Sequence, residues 1–378
     1  MIYLAMRRGG INEKAKKKTV HSKNNRRESM RAMVLTAVGV PFQMMEIPDP
    51  KPDNGEAVAQ VISCGSGLTI QHIRAGRSKV AYPRVIGHEI TAEIVELGKN
   101  VNRLSIGDPV TAYYYLNCGE CYWCQAGRET LCLQNKGNVG RACDGGYAEF
   151  VKLPEYNFIK MPDGLDYKQW PAEAGVITDA IATPIKVIKK GKIKPEEWVA
   201  VIGAGGGLGL QMVQVAKWAQ ANVVAVDIRA EKLHACTKAG ADLTIDASKE
   251  NIGEALRQVN GGWGVDVVID FIASAATLEG SFAGLNRGGR LVVLGGVPQN
   301  FSLDTNALKY EREVIGSKYC TRDEVKKALN LVASGEIWPI VSEVVPLEKA
   351  EALHSRIEAG LVTGRAAVLV NSDSDVSQ

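Results

Sequence analysis

The chain has 378 residues, 46% of them apolar and 23% charged, the make-up of an ordinary globular protein with material for two or three domains. No apolar run reaches the ~18–20 residues needed to cross a bilayer, and nothing supports a peripheral membrane role. The formal charge of +3 resides in residues 1–32, whose ten Lys/Arg and two Asp/Glu leave a body of 35 basic and 40 acidic residues, so no nucleic-acid surface is expected.

Residues 1–32 have no periodic apolar face and no apolar core with a cleavage site, and are read as a disordered basic extension. From 33 to about 110 the runs AMVLTAV, EAVAQVISC, TAEIVELG and DPVTAYY are short strands broken by Pro and Gly, the texture of an irregular β barrel or sandwich. GGYAEFVKLP adds a further strand. Near residue 170 the texture changes, and WPAEAGVITDAIATPIKVIKKG reads as a helix ending at Gly191. From 198 onward strands (WVAVIG, NVVAVD, ADLTIDA, VDVVIDF, RLVVLGG) alternate with helices (LGLQMVQVAKWAQ, AEKLHACTKAG), which predicts a parallel sheet covered on both faces. Two more helices and a last strand, RAAVLV, follow, and 371–378 are read as a disordered tail. The fold class expected is α/β: a β-rich domain joined to a doubly wound parallel sheet.

Four of the eight cysteines lie within fifteen residues, as Cys118, Cys121, Cys124 and Cys132. That spacing brings four thiolates to one tetrahedral Zn²⁺ and leaves no open position, so the site is structural. An iron–sulfur cluster uses similar spacings but usually ends in Cys-Pro, whereas Leu133 follows Cys132. Cys64, Cys143, Cys236 and Cys320 are scattered and read as small apolar residues. This usage fits a reducing, cytoplasmic compartment better than a disulfide framework.

The strand WVAVI runs into Gly203-Ala204-Gly205-Gly206-Gly207-Leu208-Gly209 and then directly into a helix. A G-x-G-x-x-G frame starting at Gly203 fails at Leu208, while a frame starting at Ala204 places Gly206 and Gly209 correctly. Such a turn lets backbone approach a pyrophosphate and presents a helix N-terminus to it. The next strand ends in Asp227, placed to accept from a ribose 2′-OH and to repel a 2′-phosphate, which favours NAD over NADP although Arg229 and Lys232 are near.

Together these residues resemble the medium-chain, zinc-containing alcohol dehydrogenase family over 33 to about 370, with Gly87-His88-Glu89 and Gly364-Arg365 as further matches. The resemblance implies a GroES-like catalytic domain at 33–182 and 320–370 carrying the structural zinc lobe, interrupted by a Rossmann NAD-binding domain at 183–319. It implies hydride transfer between NAD and a small-molecule alcohol/carbonyl pair, a homo-oligomer (dimer or tetramer), and a second, catalytic zinc. His88 matches the histidine ligand, Glu89 its acidic neighbour and Asp179 the third ligand. Thr69 and His72 match a proton relay, and Arg365 a contact to the cofactor pyrophosphate. Three positions depart from the family pattern: Gly67 stands at the first ligand position, Leu68 where a basic residue is common, and Ile70 where a supporting Asp is normal. His88 and Thr69 also have plainer readings, as a hydrogen-bonded core histidine and a packing or capping hydroxyl. Two other functions therefore remain open beside an atypical zinc dehydrogenase: a zinc-independent reductase of conjugated carbonyl compounds, and a non-catalytic NAD-binding scaffold.

Overall fold

The computed structural model describes residues 28–296 and 299–371; most of the predicted basic extension and all but the first residue of the predicted tail lie outside them. Both boundaries need correction inside the described part. The first strand is Ser29–Leu35, beginning within the expected extension, because Met30 and Ala32 are buried and Arg31 pairs with Glu149. At the other end Asn371, the first residue of the expected tail, is buried and its side-chain amide donates to Val61 O at 2.7 Å.

The parallel sheet has six strands in the spatial order Leu243–Asp246, Asn222–Asp227, Trp198–Ile202, Val265–Asp270, Leu285–Val293, Glu313–Gly316. In sequence rank within the sheet this is 3-2-1-4-5-6, the doubly wound arrangement whose crevice at the order reversal binds dinucleotides. Its central strands are near-continuous Val, Ile and Ala runs because helices bury both faces. The second domain has a seven-stranded sheet. Its path is Val341–Pro346, Arg365–Leu369, Glu56–Ser66, Glu89–Leu97, Pro109–Ala112, Phe158–Lys160, with Phe150–Pro154 also on Glu56–Ser66. The chain leaves this sheet, builds the parallel one, and returns for its last two strands, Val341–Pro346 and Arg365–Leu369.

The segment read as one helix from 170 to 191 is broken by a wide turn. Pro171–Val176 and Ala182–Lys190 are α-helical, and Ile177–Ile181 between them is a π turn. Pro184 contributes no N–H to the ladder, so the wide turn falls where an α-helical bond is already missing. It carries Asp179. Among the described residues no helix is long and apolar enough to cross a membrane.

Candidate active site

Cys118 and Cys121 lie on either side of Gly119, the short helix Tyr122–Gln125 carries Cys124, and Cys132 follows the 3₁₀ turn Glu129–Leu131. Their Sγ atoms are separated by 3.5 Å (Cys132–Cys118), 3.6 Å (Cys121–Cys124) and 3.9 Å (Cys118–Cys124 and Cys121–Cys132). Four Zn–S bonds of ~2.3 Å make a tetrahedron with edges of ~3.8 Å, so the four thiols fit zinc. N–H groups of Cys118, Cys121 and Asn117 point at three of these sulfurs, as donors that stabilise ligating thiolates.

In the glycine turn, the Gly203 and Ala204 N–H groups donate to Val226 O at 2.9 and 3.0 Å, and Gly206 N–H to Gly203 O at 3.0 Å. The helix begins at Gly209. A β-carbon there would overlap Gly203 O and lie 2.7 Å from Ala204 Cα, which is why this position tolerates only glycine. Asp227 is held at the lip: Oδ2 accepts from Gly205 N at 2.9 Å, and Oδ1 from Ile228 N at 2.8 Å and Arg229 N at 3.2 Å. Lys232 packs over Gly205, and Arg229 donates to Ala359 O at 3.0 Å. Gly364 N–H donates to Gly205 O at 2.9 Å, tying the turn to the start of the returning strand.

That strand brings Arg365 to the end of the catalytic sheet. Its neighbour Ala366 faces Ser66, and Gly65 in turn faces Glu89, so the residues around Gly67, Glu89 and Arg365 meet at one sheet end. The guanidinium is buried. Nε donates to Glu89 Oε1 and Oε2 at 3.2 and 3.0 Å, and Nη2 lies 2.7 Å from Glu89 Oε1 and 2.9 Å from Asp179 Oδ2. Asp179 Oδ1 accepts from the Thr183 hydroxyl at 2.7 Å. Burial pushes the Asp179 carboxyl up, but His88 and Arg365 outweigh it and bring the pKa down to about 2. Burial raises Glu89 despite Arg365, with Asp179 adding to the rise. The two carboxyl groups share one guanidinium.

These residues do not fit a catalytic zinc. Gly67 offers no ligand atom, and Arg365 holds both Glu89 oxygens and Asp179 Oδ2. His88 Nε2, 3.9 Å from Asp179 Oδ2, is buried without a hydrogen-bond partner. Among the described residues only the four cysteines gather as a group of three or more metal donors. His88, Glu89 and Asp179 are thus neighbours, as the resemblance implies, but not a ligand set, because a cation of the protein's own stands between the two carboxylates.

Above His88 lies a roof of phenols. Tyr114 is 4.3 Å from the His88 ring and 4.5 Å from the stacked ring of Tyr319. Thr69 Oγ1 and Tyr319 Oη are 2.9 Å apart, and burial holds the Tyr319 phenol well above its usual pKa, so it stays protonated. Thr69 and His72 lie on the helix Leu68–Arg74. His72 is half-buried, and burial and then Arg77 lower its pKa. Beneath that helix runs a buried polar chain. Gln71 donates to His354 Nδ1 at 3.1 Å, and His354 Nε2 lies 2.8 Å from Tyr147 Oη, which bonds Ser66. Burial, with Arg74 nearby, lowers His354 to about 3, so it is neutral. Tyr114, Tyr319 and this chain were not found from sequence; the one signal was the run Tyr113-Tyr114-Tyr115 before the cysteines.

Residues 53–163 match the model of the alcohol dehydrogenase GroES-like domain, and 207–334 that of the zinc-binding dehydrogenase. An alcohol dehydrogenase of Geobacillus stearothermophilus is 35% identical over 350 residues, 90% of this chain and 100% of that one. An NAD-dependent alcohol dehydrogenase of Sulfurisphaera tokodaii is 32% identical over 348 residues, 89% and 99% of the two chains. The crystal structure of an NAD-dependent alcohol dehydrogenase superposes with a TM-score of 0.83 at 28% identity, covering 90% of this chain and 100% of that one. With both domains matched and relatives this similar along their length, the chain belongs to the medium-chain, zinc-type alcohol dehydrogenase family and is an oxidoreductase of that kind.

Proposed function

We propose that the chain uses NAD to interconvert a small alcohol and its carbonyl compound between the glycine turn and the phenol roof. The observation that carries this reading is the Gly364–Gly205 hydrogen bond of 2.9 Å, which joins a dinucleotide-type turn directly to the strand bearing Arg365. In the reductive direction the nicotinamide delivers a hydride to the carbonyl carbon, and the oxygen takes a proton from the Thr69–Tyr319 hydroxyl pair, which His72 refills from solvent. The Arg365 Nη1 edge, facing Gly67 and Gly207, is the donor for the cofactor pyrophosphate. Asp227 and the commitment of Arg229 to Ala359 favour NAD over NADP. Zinc held by Cys118, Cys121, Cys124 and Cys132 fixes its own lobe and takes no part in the chemistry.

NADH titration followed by turnover on aldehydes and ketones tests the reading; binding with reduction of at least one carbonyl substrate is expected. Binding without turnover across carbonyl and enone panels would leave an NAD scaffold instead. A second reading, hydride addition to a conjugated carbonyl compound, is favoured by Gly67 and Arg365, because a centre without a Lewis acid suits an already activated double bond. It predicts enones reduced well and saturated ketones poorly. The reading includes a homo-oligomer: Glu313–Gly316 is the edge strand of the parallel sheet and exposes Val314 beside Leu308 and Tyr310. Light scattering should give a multiple of 40.7 kDa.

A further inference from the structure

Gly67 has φ −145° and ψ −179°, extended backbone that any residue adopts, so no backbone requirement explains a glycine here. Space does. A β-carbon at 67 would lie 2.6 Å from Arg365 Nη1, 2.7 Å from Cζ and 2.9 Å from Nη2. No side chain, a cysteine thiolate included, coexists with the guanidinium in its present position. That position is specified at Nε and Nη2: Glu89 takes Nε and shares Nη2 with Asp179, and Thr183 fixes the second Asp179 oxygen. Ile70, buried at the helix start, supplies no further carboxylate.

We infer that Arg365 is the resident cation of this centre, standing in place of a second metal ion, and that Gly67 is the space that admits it. The inference deepens the hydride-transfer reading and rests on it only for the role of the centre. A divalent ion entering here would have to displace Nη2 from Asp179 Oδ2 and then sit beside a buried positive charge that cannot lose its proton. It would find one imidazole nitrogen and no thiolate. The same arrangement accounts for His88. Freed from ligation, its buried Nε2 makes no hydrogen bond among the described residues, Asp179 Oδ2 standing 3.9 Å away, and lies beneath the Tyr114–Tyr319 stack, where a substrate oxygen would enter. His88 is therefore a hydrogen-bonding group for substrate in this chain, not a metal ligand.

The test is metal stoichiometry of the full-length protein, purified from zinc-supplemented medium and analysed by mass spectrometry. One zinc per chain is expected, unchanged in His88→Asn and Asp179→Asn. The double variant Gly67→Cys/Arg365→Met, which supplies the missing thiolate and removes the guanidinium, should rise to two. Two zinc ions in the unaltered protein, one of them lost in His88→Asn or Asp179→Asn, would overturn the inference, and that count stands even if the double variant fails to fold. NADH titration of the same unaltered sample reports on the hydride-transfer reading separately, since zinc content and cofactor affinity are read independently.

Discussion

Asp179 is buried, with one oxygen held by Thr183 and the other by Arg365. Its carboxyl is depressed from 3.8 to about 2, so the ionised form stabilises the fold at pH values above about 4. That contribution is lost as pH falls through about 2, and corresponds to roughly 2–3 kcal/mol. Asp179→Asn should lower the urea-unfolding free energy by about that much at pH 6, with the gap to the unaltered protein closing toward pH 2. At Thr69 the consequence is kinetic. Thr69→Val removes the partner of Tyr319 Oη, and kcat should drop on the order of 10²-fold, with NADH affinity within about twofold by fluorescence titration. An equal loss in NADH affinity would mean that Thr69 packs the helix and does not move a proton.

Helix starts and strand ends hold most of the site, and two elements allow sharper tests. The helix Gly209–Trp218 approaches the turn so closely that Gly209→Ala must push Gly203 aside. A loss of about 1–3 kcal/mol in stability and at least tenfold weaker NADH binding are expected from denaturation and titration. The helix Leu68–Arg74 is anchored from below by Gln71 and His354. A histidine with a folded pKa of about 3 against 6.5 unfolded binds its proton only in the unfolded chain between those values. Stability from this source is therefore complete above pH 6.5 and falls by roughly 1.4 kcal/mol per pH unit below it. His354→Gln should show a flatter pH dependence of unfolding between pH 6 and pH 4.

Across the whole molecule, two domains meet along the Gly364–Gly205 contact, and the zinc lobe stands apart from it. Cys124→Ser should therefore drop zinc to well below one per chain and open 117–132 to limited proteolysis. NADH affinity should stay within about twofold, because the glycine turn belongs to the other domain. The strand–helix alternation, the cysteine spacing and the glycine frame from Ala204 were all legible in sequence, since each strand–helix unit, like the cysteine loop and the glycine turn, is contained in a segment of about thirty residues or fewer. The start of the first strand at Ser29 was not, because Met30 and Ala32 alternate with Ser and Arg and gain their burial only from partners elsewhere in the sheet.

By itself the sequence determined which chemistry-bearing residues exist and which local frames hold them: four sulfurs on one loop, a phosphate turn ending in a helix, and His88 beside Glu89. Only the tertiary structure decided what fills the gap at Gly67. Arg365 lies 276 residues from Glu89 and 186 from Asp179, and Tyr319 lies 250 from Thr69. The Arg365–Glu89 meeting depends on the register of three strands, and a slip of one residue would turn Arg365 to the opposite face. Alternation along a strand fixes its faces; which strand lies beside it, and in what register, is fixed by packing of the whole sheet.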